Sequence, residues 1–99
     1  METIKDIYLH DRFLRDYNHA SFQVKKAIDK LVNKISNSGQ FPNSMNVHQA
    51  GGTDLFIGYV TRTKSHWRLL FNIDNGIITF YRLADHDTMD QILKDEARS

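Results

Sequence analysis

Trp67-Arg68-Leu69-Leu70-Phe71-Asn72-Ile73-Asp74-Asn75-Gly76-Ile77-Ile78-Thr79-Phe80-Tyr81-Arg82-Leu83 reads as a β-hairpin. Trp67, Leu69, Phe71 and Ile73 alternate along the first half, so one face of that strand is apolar. Ile77 to Leu83 is a second run of β-branched and aromatic residues. Asn75-Gly76 joins the two. A type I′ turn needs positive φ at both central positions, which these two residues tolerate best.

Working outward, Leu55 to Thr61 has the same period of two and forms a preceding strand. Before it, Ser36 to Thr53 is rich in turn formers and reads as one long connection, a length that is uncommon and often functional. Upstream the period changes to that of a helix. Val24, Ala27, Ile28, Leu31, Val32 and Ile35 make an apolar stripe opposed by Lys25, Lys26, Asp29, Lys30, Asn33 and Lys34. Ser21 caps this helix, and Gly39 followed by Pro42 ends it. Asp11 caps a shorter helix that turns Phe13, Leu14 and Tyr17 inward, and Ile4 to Leu9 suits a first strand. After the hairpin, Asp87 caps a last helix with Met89, Ile92 and Leu93 on one side. The expected order is β-α-α-β-β-β-α. It describes an α+β domain in which a helical hairpin packs on a mainly antiparallel sheet.

The chain has 99 residues, enough for one domain covering 1–99. At 40% hydrophobic and 25% charged it is ordinary globular protein. No apolar run is long enough to span a bilayer, and Met1-Glu2-Thr3-Ile4-Lys5-Asp6 lacks the shape of a signal peptide, so a cytosolic location is expected. The absence of cysteine excludes disulfides, thiolate metal sites and Cys nucleophiles. Net charge is only +1, so any nucleic-acid signal must lie in where the charges sit.

The hairpin register supplies such a placement. A two-residue turn pairs Asp74 with Ile77, and counting back puts Phe71 opposite Phe80, Leu69 opposite Arg82 and Arg68 opposite Leu83. On the same count His66 faces Asp85 and Ser65 faces His86. His66 and His86 therefore reach one end of the sheet. The loop Arg62-Thr63-Lys64-Ser65 adds two cations there, with Arg68 and Arg82 a step further in. A bulge would shift the register by one but keep the common end. His48 lies in the long connection, where spacing does not fix its place.

Imidazoles among guanidinium and ammonium groups suit RNA transesterification. The 2′-hydroxyl must lose a proton, the leaving 5′-oxygen must gain one, and the phosphorane carries extra negative charge. The same residues also have plain readings. His66 beside Trp67 can simply end the hairpin, and His86 between Asp85 and Asp87 can belong to a helix cap. His10 and His19 read as surface residues, and the helix lysines as a solvated face. His48, His66 and His86 with Asp85 or Asp87 contain the donors for a metal, but no HxH or HExxH spacing is present. Gly51-Gly52 is too short for a phosphate loop.

Leu55 to His86, LFIGYVTRTKSHWRLLFNIDNGIITFYRLADH, resembles the carboxy-terminal sheet of the RelE/ParE superfamily of toxins. FLRDYNHASFQVKKAIDKLVNKI, which starts at Phe13, resembles that family's helical hairpin. Within the superfamily the chain is most similar to the YafQ-type branch of mRNA interferases. That resemblance implies a RelE-like fold with a short carboxy-terminal helix. It also implies the toxin of a type II toxin–antitoxin pair, a metal-independent endoribonuclease that needs no cofactor. Such a toxin cuts mRNA in the ribosomal A site, leaves a 2′,3′-cyclic phosphate and is blocked by an antitoxin protein. Carried over, it makes His86 general acid or base with His48 and His66 as partners, and Arg68 the phosphate ligand. Arg62, Lys64 and Arg82 would hold the RNA backbone. Two departures stand out. His66 occupies a place where the branch tends to carry a carboxylate, and Met89-Asp90 replaces an aromatic residue that usually follows the last His. Superfamily members of the ParE type inhibit DNA gyrase instead, and an inactive binding protein on the same fold is a third reading.

Overall fold

The computed structural model describes residues 3–61 and 66–98. Among them the elements are β1 (Asp6–Leu9), α1 (Asp11–His19), α2 (Phe22–Ser38), a 3-10 turn (Asn43–Met45), β2 (His48–Gln49), β3 (Phe56–Tyr59), β4 (Arg68–Asp74), β5 (Ile77–Ala84) and α3 (His86–Arg98). The sheet runs β1-β5-β4-β3-β2, parallel between β1 and β5 and antiparallel elsewhere. The long connection is thus shorter than its sequence suggested. α2 continues to Ser38, and His48-Gln49 pairs with Ile57 and Phe56 as an edge strand.

Local chemistry explains most boundaries. Asn75 and Gly76 adopt φ of 52° and 79°, as the turn requires. Ser21 caps α2 by accepting from Val24 N–H at 3.4 Å, and Gly39 ends it with φ 69° and a 2.8 Å bond from its N–H to Ile35 O. Two expected caps are displaced. At α1 the cap is His10, whose Nδ1 accepts from Arg12 N–H at 3.1 Å. His10 N–H donates to Phe80 O at 3.0 Å, so the strand holds His10 extended and the helix starts after it, leaving Asp11 as first-turn acid. At α3 the cap is Asp85, whose Oδ1 accepts from Thr88 N–H at 2.8 Å, and Asp87 falls inside the first turn.

The hairpin register holds from Asp74–Ile77 to Phe71–Phe80 and then slips by one. Leu70 faces Arg82, Leu69 faces Leu83 and Arg68 faces Ala84, which corrects the inner pairs expected above. The extra residue on β5 is Tyr81. Phe80 and Leu83 are three positions apart yet both fully buried on the α1/α2 side, and regular alternation cannot place both there. The bulge frees Leu83 N–H from the ladder, and Asp16 Oδ2 of α1 accepts it at 2.9 Å.

Each face of the sheet carries its own apolar layer. Leu69, Phe71, Ile78, Phe80 and Leu83 pack against Phe13, Val24, Ile28, Leu31 and Ile35 of the helical hairpin. Leu14, expected inward, stays exposed. Phe41 from the connection stacks on Phe71, with centroids 4.5 Å apart. On the other face Ile57, Leu70 and Ala84 meet Met89 and Ile92 of α3. That second contact ties α3 to the sheet and sets where its first turn points.

Candidate active site

The β4–β5 ladder ends at Arg68–Ala84, and α3 begins immediately beyond Asp85. His86 is therefore delivered beside Arg68 by strand pairing and by the burial of Met89 and Ile92. One helical turn later Asp90 joins the two side chains. Its Oδ2 lies 3.3 Å from His86 Nδ1, and its Oδ1 lies 3.7 Å from Arg68 Nη1. The spacing of His86 and Asp90 is that of neighbours on one helix face. With Nδ1 turned to Asp90, Nε2 is the nitrogen His86 has left for other chemistry.

Arg68 is held from a second side. Its guanidinium carbon sits 4.8 Å from the ring centroid of Tyr59, its partner across β3–β4. The side chain is 14% exposed, and its Nε is buried without a hydrogen-bond partner among the described residues. His48 meets the opposite end of this arrangement, with its ring edge-on to Tyr59 at 6.0 Å and Nδ1 3.3 Å from Asn46 O. His48, Tyr59, Arg68, Asp90 and His86 thus form one continuous line across β2, β3, β4 and α3.

The remaining sequence candidates fall differently. His66 flanks the same end of the sheet but outside the ladder, with φ 44°, so its expected pairing with Asp85 does not form. It has no hydrogen bond or ion pair to the other candidates among the described residues. Arg62 and Lys64 lie outside the described residues. Arg82 is engaged by α1, with Nε 2.8 Å from Asp16 Oδ2 and Nη2 3.3 Å from Asp16 Oδ1. Among the described residues no group of three or more His, Asp or Glu is placed to hold a metal ion. No described helix is long and apolar enough to cross a membrane.

Sequence reasoning missed Tyr59 and Asp90 as parts of the site. Asp90 was within reach, because the spacing from His86 is helical and Arg68 was already placed at that end. Tyr59 was not, because the loop from β3 to β4 carries no turn motif that sets the register.

No family model and no curated protein matches the chain. Solved structures do. The RelE–RelB toxin–antitoxin complex from Methanococcus jannaschii superposes with a TM-score of 0.70 at 14% identity, over 84% of this chain and 94% of that one. A mutant of E. coli toxin RelE in the free state gives 0.65 at 14% identity, over 98% of this chain and 95% of that one. YafQ from E. coli gives 0.58 at 18% identity, over 86% of this chain and 97% of that one. The chain has the RelE toxin fold, in agreement with the resemblance read from its sequence. YafQ is included in that likeness but not set apart from RelE by it.

Proposed function

We propose that this chain is the toxin of a type II toxin–antitoxin pair and an endoribonuclease that cuts messenger RNA by transesterification. The observation that carries the reading is the grouping of Arg68 and His86 around Asp90 at one end of a RelE-type sheet. The solved relatives include toxins caught in complex with their antitoxins, which supports a protein antitoxin as partner here. A cytoplasmic location follows from that role.

The chemistry needs three things. A base removes the proton of a ribose 2′-hydroxyl, whose oxygen attacks the adjacent phosphorus. An acid protonates the departing 5′-oxygen. A cation balances the charge that builds on the non-bridging oxygens. The products are a 2′,3′-cyclic phosphate and a 5′-hydroxyl, and the substrate supplies its own nucleophile. Arg68 is the group for the phosphate oxygens. It is fixed on Tyr59, and its buried Nε has no hydrogen-bond partner among the described residues. His86 Nε2 is one acid–base atom, and Asp90 orients that ring. His48, across Tyr59, is its partner, with His66 a further imidazole at the same end. Arg62, Lys64 and Arg82 serve the RNA backbone, Arg82 through the edge not engaged by Asp16. No step requires a metal, and ribosome-bound mRNA in the A site is the expected substrate.

The test is inducible expression of the wild type and of His86→Ala in bacteria, with the 5′ ends of cellular mRNA mapped. New in-frame cuts and growth arrest with the wild type but not with His86→Ala are expected. Arrest without new cuts would replace the ribonuclease with a gyrase-type inhibitor, and the absence of both would remove the catalytic reading.

A further inference from the structure

Next to the site, on the same face of the sheet, lies a cleft of about 580 Å³. It crosses the sheet from the end of β1 to the turn between β2 and β3. His10, Arg12 and Tyr81 border it on one side, Leu70 and Asn72 of β4 line its middle, and Gly52 to Leu55 border the other. We infer that this cleft takes a nucleobase of the RNA next to the cleaved nucleotide, stacked on the Tyr81–His10 rings and read at its edge by Asn72. The inference rests on the ribonuclease reading and adds a specificity subsite to it.

Position comes first. Arg68, Leu70 and Asn72 point to one face of β4, because alternate residues share a side. Asn72 is four residues from Arg68, about 13 Å along the strand. The cleft therefore lies within reach of the nucleotides that flank a phosphate held by Arg68.

Chemistry comes second. The Tyr81 and His10 rings lie 5.6 Å apart at 41°. Aromatic surfaces of this kind are stacking platforms for bases. Around them stand polar groups that the protein does not use. Among the described residues the Asn72 amide, the Asp54 carboxylate, the Tyr81 hydroxyl and the Arg12 guanidinium have no intramolecular partner. Asn72 is half-buried with its amide open to the cleft, so its donor and acceptor are free to exchange water for a ligand. An amide of that kind can bond bidentately to a base edge. Arg12 and Arg82 line the cleft on one side and Asp54 on the other, so its occupant must offer hydrogen-bonding edges as well as negative charge, as a base attached to its backbone phosphate does.

Preorganisation comes third. The far wall is a tied turn: Thr53 N–H and Oγ1 both donate to Ala50 O, at 3.1 and 3.0 Å, and Leu55 N–H donates to Thr53 Oγ1 at 3.1 Å. Gln49 Nε2 adds a bond to Thr53 O at 3.1 Å. A wall fixed in this way keeps its shape without a ligand, so little ordering entropy is lost on binding.

The experiment extends the mapping of mRNA ends to Asn72→Ala, Asp54→Ala and Tyr81→Leu, beside the wild type and His86→Ala. The wild type should prefer one base at a position flanking the cut. Asn72→Ala should lose that preference, with the favoured messages cut about five- to hundredfold less, the worth of one bidentate base contact. Tyr81→Leu should weaken cutting irrespective of the base, as loss of a stacking surface does. Wild-type preference and rate in all three variants would overturn the inference and assign the cleft to another occupant, a peptide strand included. The ribonuclease reading would survive that result, because it is carried by the contrast with His86→Ala. If the wild type itself cuts no RNA, both fall.

Discussion

Replacing Asp16 with alanine tests how the sheet tolerates its bulge. The carboxylate accepts three bonds: Arg82 Nε at 2.8 Å, Arg82 Nη2 at 3.3 Å and the ladder-free Leu83 N–H at 2.9 Å. The Asp16 side chain is 18% exposed and that of Arg82 27%, so neither is a surface ion. Breaking an exposed pair costs about 0–1 kcal/mol and a buried one about 3–5 kcal/mol, which puts this pair near 2 kcal/mol. The orphaned N–H of Leu83, whose residue is 2% exposed, adds about 1 kcal/mol or more. Together the loss is about 3 kcal/mol. A domain of this size holds roughly 5–15 kcal/mol, so a large fraction of its stability is at stake. Tm should fall by about 12–24 °C, at roughly 4–8 °C per kcal/mol. Urea unfolding gives the same quantity independently through the midpoint at unchanged slope. Arg82→Leu removes the cation but leaves Asp16 free to hold Leu83 N–H, so it should cost less than Asp16→Ala. The double mutant should show a coupling of about 1–2 kcal/mol between the two. A loss below 1 kcal/mol in Asp16→Ala, with the native sheet retained, would refute the claim that α1 satisfies the bulge.

Asp90→Asn keeps the shape of the side chain but removes the charge that faces both His86 and Arg68. RNA cutting should fall roughly ten- to hundredfold, short of the ~10⁴ lost when a fully buried orienting carboxylate is neutralised, because Asp90 is half exposed. Cutting at the wild-type rate would show that Asp90 orients nothing. Gly58→Ala places a Cβ 3.1 Å from Phe41 Cε1 and Cζ, inside the Phe41–Phe71 stack. It should destabilise by about 1–3 kcal/mol in urea unfolding, and a gain in stability would contradict that packing. Tyr17 donates to Asp29 Oδ1 at 2.7 Å, and this hydrogen bond, with some burial and the carboxylate charge, raises its pKa above 10.0. Its stabilisation is therefore complete below pH 10 and lost as pH rises through the folded-state value. In a spectrophotometric titration one tyrosine should ionise late in the wild type and earlier in Asp29→Asn; identical curves would remove Asp29 as the cause.

How much of this was legible depends on whether the cause is local. Asn75-Gly76 announces its turn through backbone conformation alone, and the α2 stripe announces its buried side by spacing. The two displaced caps were not legible. What fixes His10 outside α1 is a hydrogen bond to Phe80, far away in sequence. The strand at His48-Gln49 exists only because Phe56 and Ile57 offer it an edge. In the site, the common end of Arg68 and His86 came from counting along the hairpin. Tyr59 stayed hidden because the loop leading to β4 carries no register signal.

The bulge does have a sequence signature, and the site depends on it. Ile78 and Phe80 alternate correctly, and then a cation, Arg82, stands where the next core residue is due, with Leu83 one place late. The chain resolves the conflict by inserting Tyr81. Leu83 then turns to the α1/α2 layer, and Ala84 turns to the opposite layer beside Met89 and Ile92. Without that slip the last residue of β5 would present its other side to α3. The helix would lose its seat, and Asp90 would not join His86 to Arg68. The same slip leaves Arg82 facing Asp16 and Tyr81 bordering the cleft with His10. A single irregularity in one strand therefore sets the packing of α3, the cationic group at the sheet end and the aromatic wall beside it. This is why the register count found the right end of the sheet and the wrong pairs.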